Sequence, residues 1–182
     1  MPVEDIVLIV AEDLVVVEAD LVARRLGCPG CGSGVLAGWG FARRRVLRER
    51  GGQRWLRPRR GRCTGCRATH VLLPDACLAR RLDCVEVIGE ALLAGAREGY
   101  RPVAGRLGLP VETVRDWIRR FRARAGEIAA HFVRWALALD GSLWLPDAAT
   151  GVAGAVEAIG LCARAASLVL GPRAAWSWVS VL

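Results

Sequence analysis

The sequence predicts an α+β chain. A small strand-helix opening leads into a β zinc ribbon, then a trihelical helix-turn-helix domain and a helical C-terminal tail. Three observations predict it. Cys28-Pro29-Gly30-Cys31 and Cys63-Thr64-Gly65-Cys66 are matched CxxC pairs bracketing a stretch that reads as strands. After Pro74 the texture changes from short β-type runs to apolar residues at helical spacing. Within that second half, "RPVAGRLGLPVETVRDWIRRFRARA" (101–125) divides into two helical patterns at Gly108-Leu109-Pro110. With 182 residues the chain has room for one ordinary domain or two small ones. The expected segments are 1–27, 28–74, 75–135 and 136–182.

Taken in order, "DIVLIV" (5–10) is a β-branched run expected to form a buried strand. "EADLVARRLG" (18–27) carries Leu21, Val22 and Leu26 ahead of a glycine, which predicts a short helix. "WGFARRRVLRER" and "QRWLRPRRGR" flank Gly51-Gly52 and predict one basic hairpin; "ATHVLLP" predicts a third strand ended by Pro74. "LARRLDCVEVIGEALLAGAREG" (78–99) has Val85, Ile88, Leu92 and Leu93 at helical spacing and stops at Gly99. Further helices are expected over 127–139 and 152–170, joined by a loop beginning "DGSLWLPD" (140–147) and followed by a tryptophan-rich end.

Tetrahedral zinc takes four thiolates, and a CxxC turn aims two of them at one point. Cys28, Cys31, Cys63 and Cys66 are therefore predicted to hold one structural Zn2+. A thioredoxin-like redox centre would want a single CxxC opening a helix in a βαβ setting, which neither pair has. Four cysteines close the site and leave no position for a catalytic water, so no enzyme activity is expected. His70, four residues past Cys66, is expected beside the site, bonding a sulfur or carbonyl, rather than as a ligand. Cys77 and Cys84 would share a helix face, and with Cys162 they read as small buried hydrophobes.

Every one of the 26 basic residues is arginine and the formal net charge is +8. Positive charge is concentrated in two blocks: residues 40–70 hold eleven arginines against one acid, and residues 97–134 nine against four. Clusters of this kind are the usual footprint of a polyanion binder. Arg57, Arg59, Arg60 and Arg62 in the ribbon are candidate phosphate contacts. In the helical block Val114, Trp117, Ile118 and Phe121 share one face, and Ala104 supplies the small residue needed where two helices cross. The outward face then offers Thr113 and Arg115 to base edges and Arg119, Arg120 and Arg122 to phosphates. Double-stranded DNA is the expected partner. Stacking of RNA bases on Trp39 or Trp55 would fit the same sequence.

"CPGCG…RCTGCRATHVLLP" followed by "VIGEALLAGAREGYRPVAGRLGLPVETVRDWIRRFRARA" resembles a family of actinobacterial proteins. These pair a zinc ribbon with a helix-turn-helix and accompany transposition genes. The ribbon is also similar to the N-terminal zinc finger of insertion-sequence transposases. By that resemblance Cys28, Cys31, Cys63 and Cys66 are the zinc ligands, and Thr113 is the threonine found early in the recognition helix. Asp116 departs from the pattern, since related helices carry arginine or another base-reading residue there. Beyond residue 135 there are too few carboxylates for the acidic triad of a DDE transposase. The resemblance thus implies a DNA binder accessory to transposition or regulating transcription. The rival expectation is an adaptor docking a transposase or RNA polymerase through the ribbon and the apolar tail, with Trp176 and Trp178 in the contact. No basic leader region or uncharged apolar run of bilayer length is evident, so a cytoplasmic protein without a membrane span is expected.

Overall fold

A computed structural model of the chain describes residues 6–143 and 150–181. It is mixed α and β, and it divides into two compact units, one ending at Cys84 and the other beginning at Val85.

The first unit is built on a four-stranded sheet. Strand β1 (Ile6–Val10) runs parallel to β6 (Thr69–Pro74), which pairs antiparallel with β5 (Arg59–Cys63), and β5 with β2 (Leu36–Phe41). The opening segment thus belongs to the same sheet as the cysteine-bearing strands. Helix α1 covers Leu14–Val22, four residues earlier than the sequence pattern suggests. The reason is a cap: the Asp13 carboxylate accepts the Val15 amide at 2.8 Å, satisfying a donor that would otherwise be orphaned. Val17 and Leu21 of α1 then pack with Val10, Leu36 and Leu72, and Cys28 and Cys63 belong to the same core.

The single expected hairpin is instead two. Beyond β2 and β5, strands β3 (Arg45–Glu49) and β4 (Gly52–Leu56) form a separate antiparallel pair closed at Arg50-Gly51. A register shift between Gly38 and Phe41, with Gly40 at φ +73°, bends the first pair. Pro58, which has no N–H to give the ladder, lies at the joint, its carbonyl accepting the Ala42 amide at 2.8 Å.

Residues 78–84, expected to be helical, are not. Arg48 and Asp83 form a parallel bridge and an ion pair of 2.9 Å, and Cys77 bridges Cys84 in antiparallel register. These pairings override the helical spacing, and both thiols are buried off any helix.

In the second unit, α2 (Val85–Glu98), α3 (Tyr100–Leu107) and α4 (Val111–Ala123) enclose Ala91, Leu92, Val103, Ala104, Val114, Trp117 and Ile118. Gly99 at φ +81° and Gly108 at φ +64° make the two corners. Gly108 is in the left-handed conformation that ends α3. Helix α5 (Ala125–Leu139) packs on α6 (Gly151–Leu170) through Phe132, Ala136, Ala158, Ile159, Leu161 and Cys162. Among the described residues α6 is long and apolar enough to cross a bilayer by length and composition; it carries Glu157 and Arg164, and its small residues are buried against neighbours. The short α7 (Ser177–Val181) places Trp178 in the interior, 2% exposed, with its indole N–H donating to the Ser167 hydroxyl at 3.0 Å. Trp176 packs against Gly89, where any side chain would overlap the indole. Of the tryptophans expected on a docking surface, Trp178 is buried and Trp176 is partly buried against the core of its own unit. The loop expected over 140–147 lies mostly outside the described residues.

Candidate functional site

The two CxxC turns come together at one end of the β2–β5 pair. The four sulfurs of Cys28, Cys31, Cys63 and Cys66 all lie within 4.8 Å of one another. Across the pairs, Cys28 to Cys66 and Cys31 to Cys63 are both 3.7 Å. A tetrahedron of sulfurs around a metal at a thiolate bond length of about 2.3 Å has edges of about 3.8 Å. The spacing therefore fits one tetrahedral ion. Nothing but thiolate is offered, and the cluster is compatible with a single structural metal site.

The turns are alike in detail. The residue after each second cysteine is left-handed, Gly32 at φ +68° and Arg67 at φ +68°. Backbone amides point at the sulfurs: Gly34 donates to Cys31 Sγ at 3.4 Å, and Gly65 and Cys66 donate to Cys63 Sγ at 3.3 and 3.4 Å. These donors favour thiolate. The Ser33 and Gly34 amides, helped by the Ser33 hydroxyl, hold the Cys31 thiol down to about 5. At Cys63 burial works against ionisation but the Cys66 and Gly65 amides prevail, and its thiol is lowered. Cys66 goes the other way: the Ala68 amide lowers it, yet burial and the thiols of Cys63, Cys28 and Cys31 outweigh that and push it up to about 11. Four thiols this close cannot all ionise without a cation between them.

Gly34 makes the approach possible. A Cβ there would lie 2.4 Å from Cys63 Sγ and 3.2 Å from the Gly65 nitrogen. Sequence reasoning did not single out Gly34 or the strained Arg67; the glycine-rich "CGSG" after the first pair was the available signal. His70 is fully buried on β6 with Nε2 3.3 Å from Cys28 Sγ, outside the group of four sulfurs. It contacts a sulfur of the cluster. Cys77 and Cys162 are buried away from the centre, and burial pushes their thiols up, to about 11 at Cys77.

Residues 28–102 match a family model described as a domain of unknown function (DUF6431). The match begins at Cys28, spans both cysteine pairs and α2, and ends in the first turn of α3. No curated protein and no solved structure matches the chain.

The arginines divide by environment. In the first unit Arg62 stacks on Trp39 with its guanidinium carbon 4.5 Å from the ring centre, while Arg57 and Arg59 lie over Phe41 at 5.2 and 4.8 Å. Arg59 is also ion-paired to Glu18, and Arg60 is half-buried on the same strand. On α4, Arg115 is paired with Glu112 at 2.8 Å and with Asp116 at 3.7 Å; Arg119 reaches Asp116 at 3.5 Å. Arg120 and Arg122 are exposed with no acidic partner among the described residues. Thr113 is half-buried near the start of the helix. Arg115, Arg119 and Arg122, one helical stripe, line with Tyr100 and Gly99 an open cleft of about 520 Å³.

Proposed function

We propose that the protein is a zinc-stabilised, sequence-directed binder of double-stranded DNA, accessory to or regulating transposition or transcription. The four-sulfur site is a zinc ribbon: zinc suits a closed thiolate tetrahedron of this size, contributes folding energy and needs no open coordination position. Helices α2, α3 and α4 form a trihelical helix-turn-helix domain, with α4 as the recognition helix.

The observation that carries the reading is the α3–Gly108–α4 corner. A left-handed glycine turns the chain, Val103, Ala104, Val114, Trp117 and Ile118 are buried, and the opposite face of α4 carries four arginines. This arrangement leaves a helix free to enter a major groove N-terminus first. Thr113 and Arg115 are the base-contacting residues and Arg119, Arg120 and Arg122 the phosphate clamps. Arg115 leaves Glu112 and Asp116 to do so, and those two acids reject duplexes on which it finds no guanine. Arg57, Arg59, Arg60 and Arg62 add charge on the ribbon. The adaptor reading is weakened by the burial of Trp178, though Leu168, Val169 and Leu170 remain exposed at the end of α6.

The test is selection of a duplex from a randomised pool, followed by a salt titration on the enriched site. Four or five arginine–phosphate contacts imply a log–log salt slope of roughly −4. Arg119→Ala/Arg120→Ala should flatten it by about two contacts. Failure to retain any duplex, or binding indifferent to salt, would overturn the proposal.

A further inference from the structure

We propose that the basic hairpins of the first unit carry a second seat, for single-stranded nucleic acid, separate from the recognition helix. This rests on the nucleic-acid reading of the basic block and names the form of nucleic acid the ribbon takes. Trp39, Phe41 and Trp55 are 53%, 41% and 56% exposed, although large rings normally lie inside. Each has arginine against it: Arg62 on Trp39, Arg57 and Arg59 on Phe41, and Arg44 on Trp55 at 4.5 Å. Significant cation–π pairs occur about once per 70–80 residues. Four within residues 39–62 is a concentration that packing alone does not require, because all three rings are exposed.

The chemistry selects the occupant. An aromatic ring flanked by guanidinium groups offers a π-face for a base and a cation for the adjoining phosphate. In a duplex the base faces are covered by their neighbours, and an exposed ring on a strand cannot reach them. In a single strand they are open. The charge agrees: Glu49 is the one acid in residues 40–70, and it is already engaged by Arg54. Arg59 is held by Glu18, which leaves Arg44, Arg57 and Arg62 as the phosphate partners. Trp39 and Phe41 flank the irregularity at Gly40 on β2, and their partners Arg62 and Arg59 both lie on β5, so each ring is a separate stacking position. Trp55 lies on β4, in the separate two-stranded sheet. Each ring offers an unpaired base a face to stack on.

The experiment uses the full chain loaded with zinc and fluorescence anisotropy with three labelled probes: a 20-mer of deoxythymidylate, a 20-mer of uridylate and a mixed-sequence duplex. Either single strand should bind. Trp39→Ala and Trp55→Ala should each weaken that binding about tenfold, with duplex affinity changed less than twofold, and Trp39→Phe should keep most of it. The tighter of the two single strands identifies DNA or RNA as the preferred chain. Metal content of each variant reports an intact ribbon, and both tryptophans are surface residues. If single strands do not bind while the duplex does, or if the double tryptophan variant binds them like the parent, the second seat is refuted and the helix-turn-helix reading stands. If single strands bind, lose affinity with the tryptophans and the duplex is ignored, the seat stands and the duplex reading falls. An acidic polypeptide such as polyglutamate competing as well as either oligonucleotide would also overturn the seat.

Discussion

Gly34→Ala tests the metal centre most directly, because the geometry predicts failure from one methyl group. The added Cβ would lie 2.4 Å from Cys63 Sγ and 3.2 Å from the Gly65 nitrogen. Comfortable non-bonded contact begins near 3.5 Å, so the sulfur or the turn must move by about 1 Å. A metal–thiolate shell tolerates about 0.2 Å. Retreat is blocked, since Cys63 is 1% exposed and belongs to the core beneath α1. Losing one ligand's geometry should exceed the 10- to 100-fold cost of disturbing a mere neighbour of the shell, so affinity should fall by about 100-fold or more. Gly65→Ala is the internal control: its Cβ would meet Gly34 Cα at 3.7 Å and Cys63 Sγ at 3.8 Å, ordinary contacts that call for no movement. The assay is chelator competition with a chromophoric zinc indicator, on both variants and the parent. Equal metal affinity for Gly34→Ala and Gly65→Ala would refute the reasoning, and with it the inference that the backbones of the two turns touch as described.

Other consequences are open to similar checks. His70→Ala removes a buried contact to Cys28 Sγ at 3.3 Å and should weaken zinc about 10- to 100-fold by the same competition; unchanged affinity would reduce His70 to packing. Gly108→Ala meets no atom within 4 Å, so its whole cost is backbone: with φ at +64°, a loss of about 1 kcal/mol is expected from the denaturant midpoint of the helical unit, and a gain would contradict the left-handed corner. Arg67→Gly relieves a left-handed non-glycine residue at φ +68°, so the four-cysteine unit should still take up metal and gain up to about 1 kcal/mol, read from thermal melts of the metal-loaded protein. The Cys31 thiol, held to about 5, is already ionised near neutrality, whereas Cys66, at about 11, must release a proton to the solvent when metal binds. Zinc affinity should therefore rise between about pH 6 and pH 8, with proton release seen by calorimetry in buffers of different ionisation enthalpy. A heat independent of buffer would contradict it.

The sequence by itself determined the parts whose physics is local. Two CxxC turns specify four thiolates because the spacing within each turn needs no help from elsewhere. The apolar spacing of Val114, Trp117 and Ile118, with Gly108 before them, marked α4 and its corner, since helical periodicity and a left-handed glycine act within a few residues. The start of α1 at Leu14 was also local, an aspartate cap at Asp13 that the apolar pattern concealed. Tertiary structure decided whatever depended on residues far apart in the chain. β1 joined β6 across more than sixty positions, His70 met Cys28, and the helical spacing of 78–84 gave way to the pairing of Asp83 with Arg48. The same holds for the tryptophans. Composition marks all of them as apolar, yet Trp178 found a buried place and a serine hydroxyl, while Trp39 and Trp55 were left exposed with arginines over their rings. Burial is a property of the partners a side chain finds, and a one-dimensional pattern carries those partners only when they are neighbours in sequence.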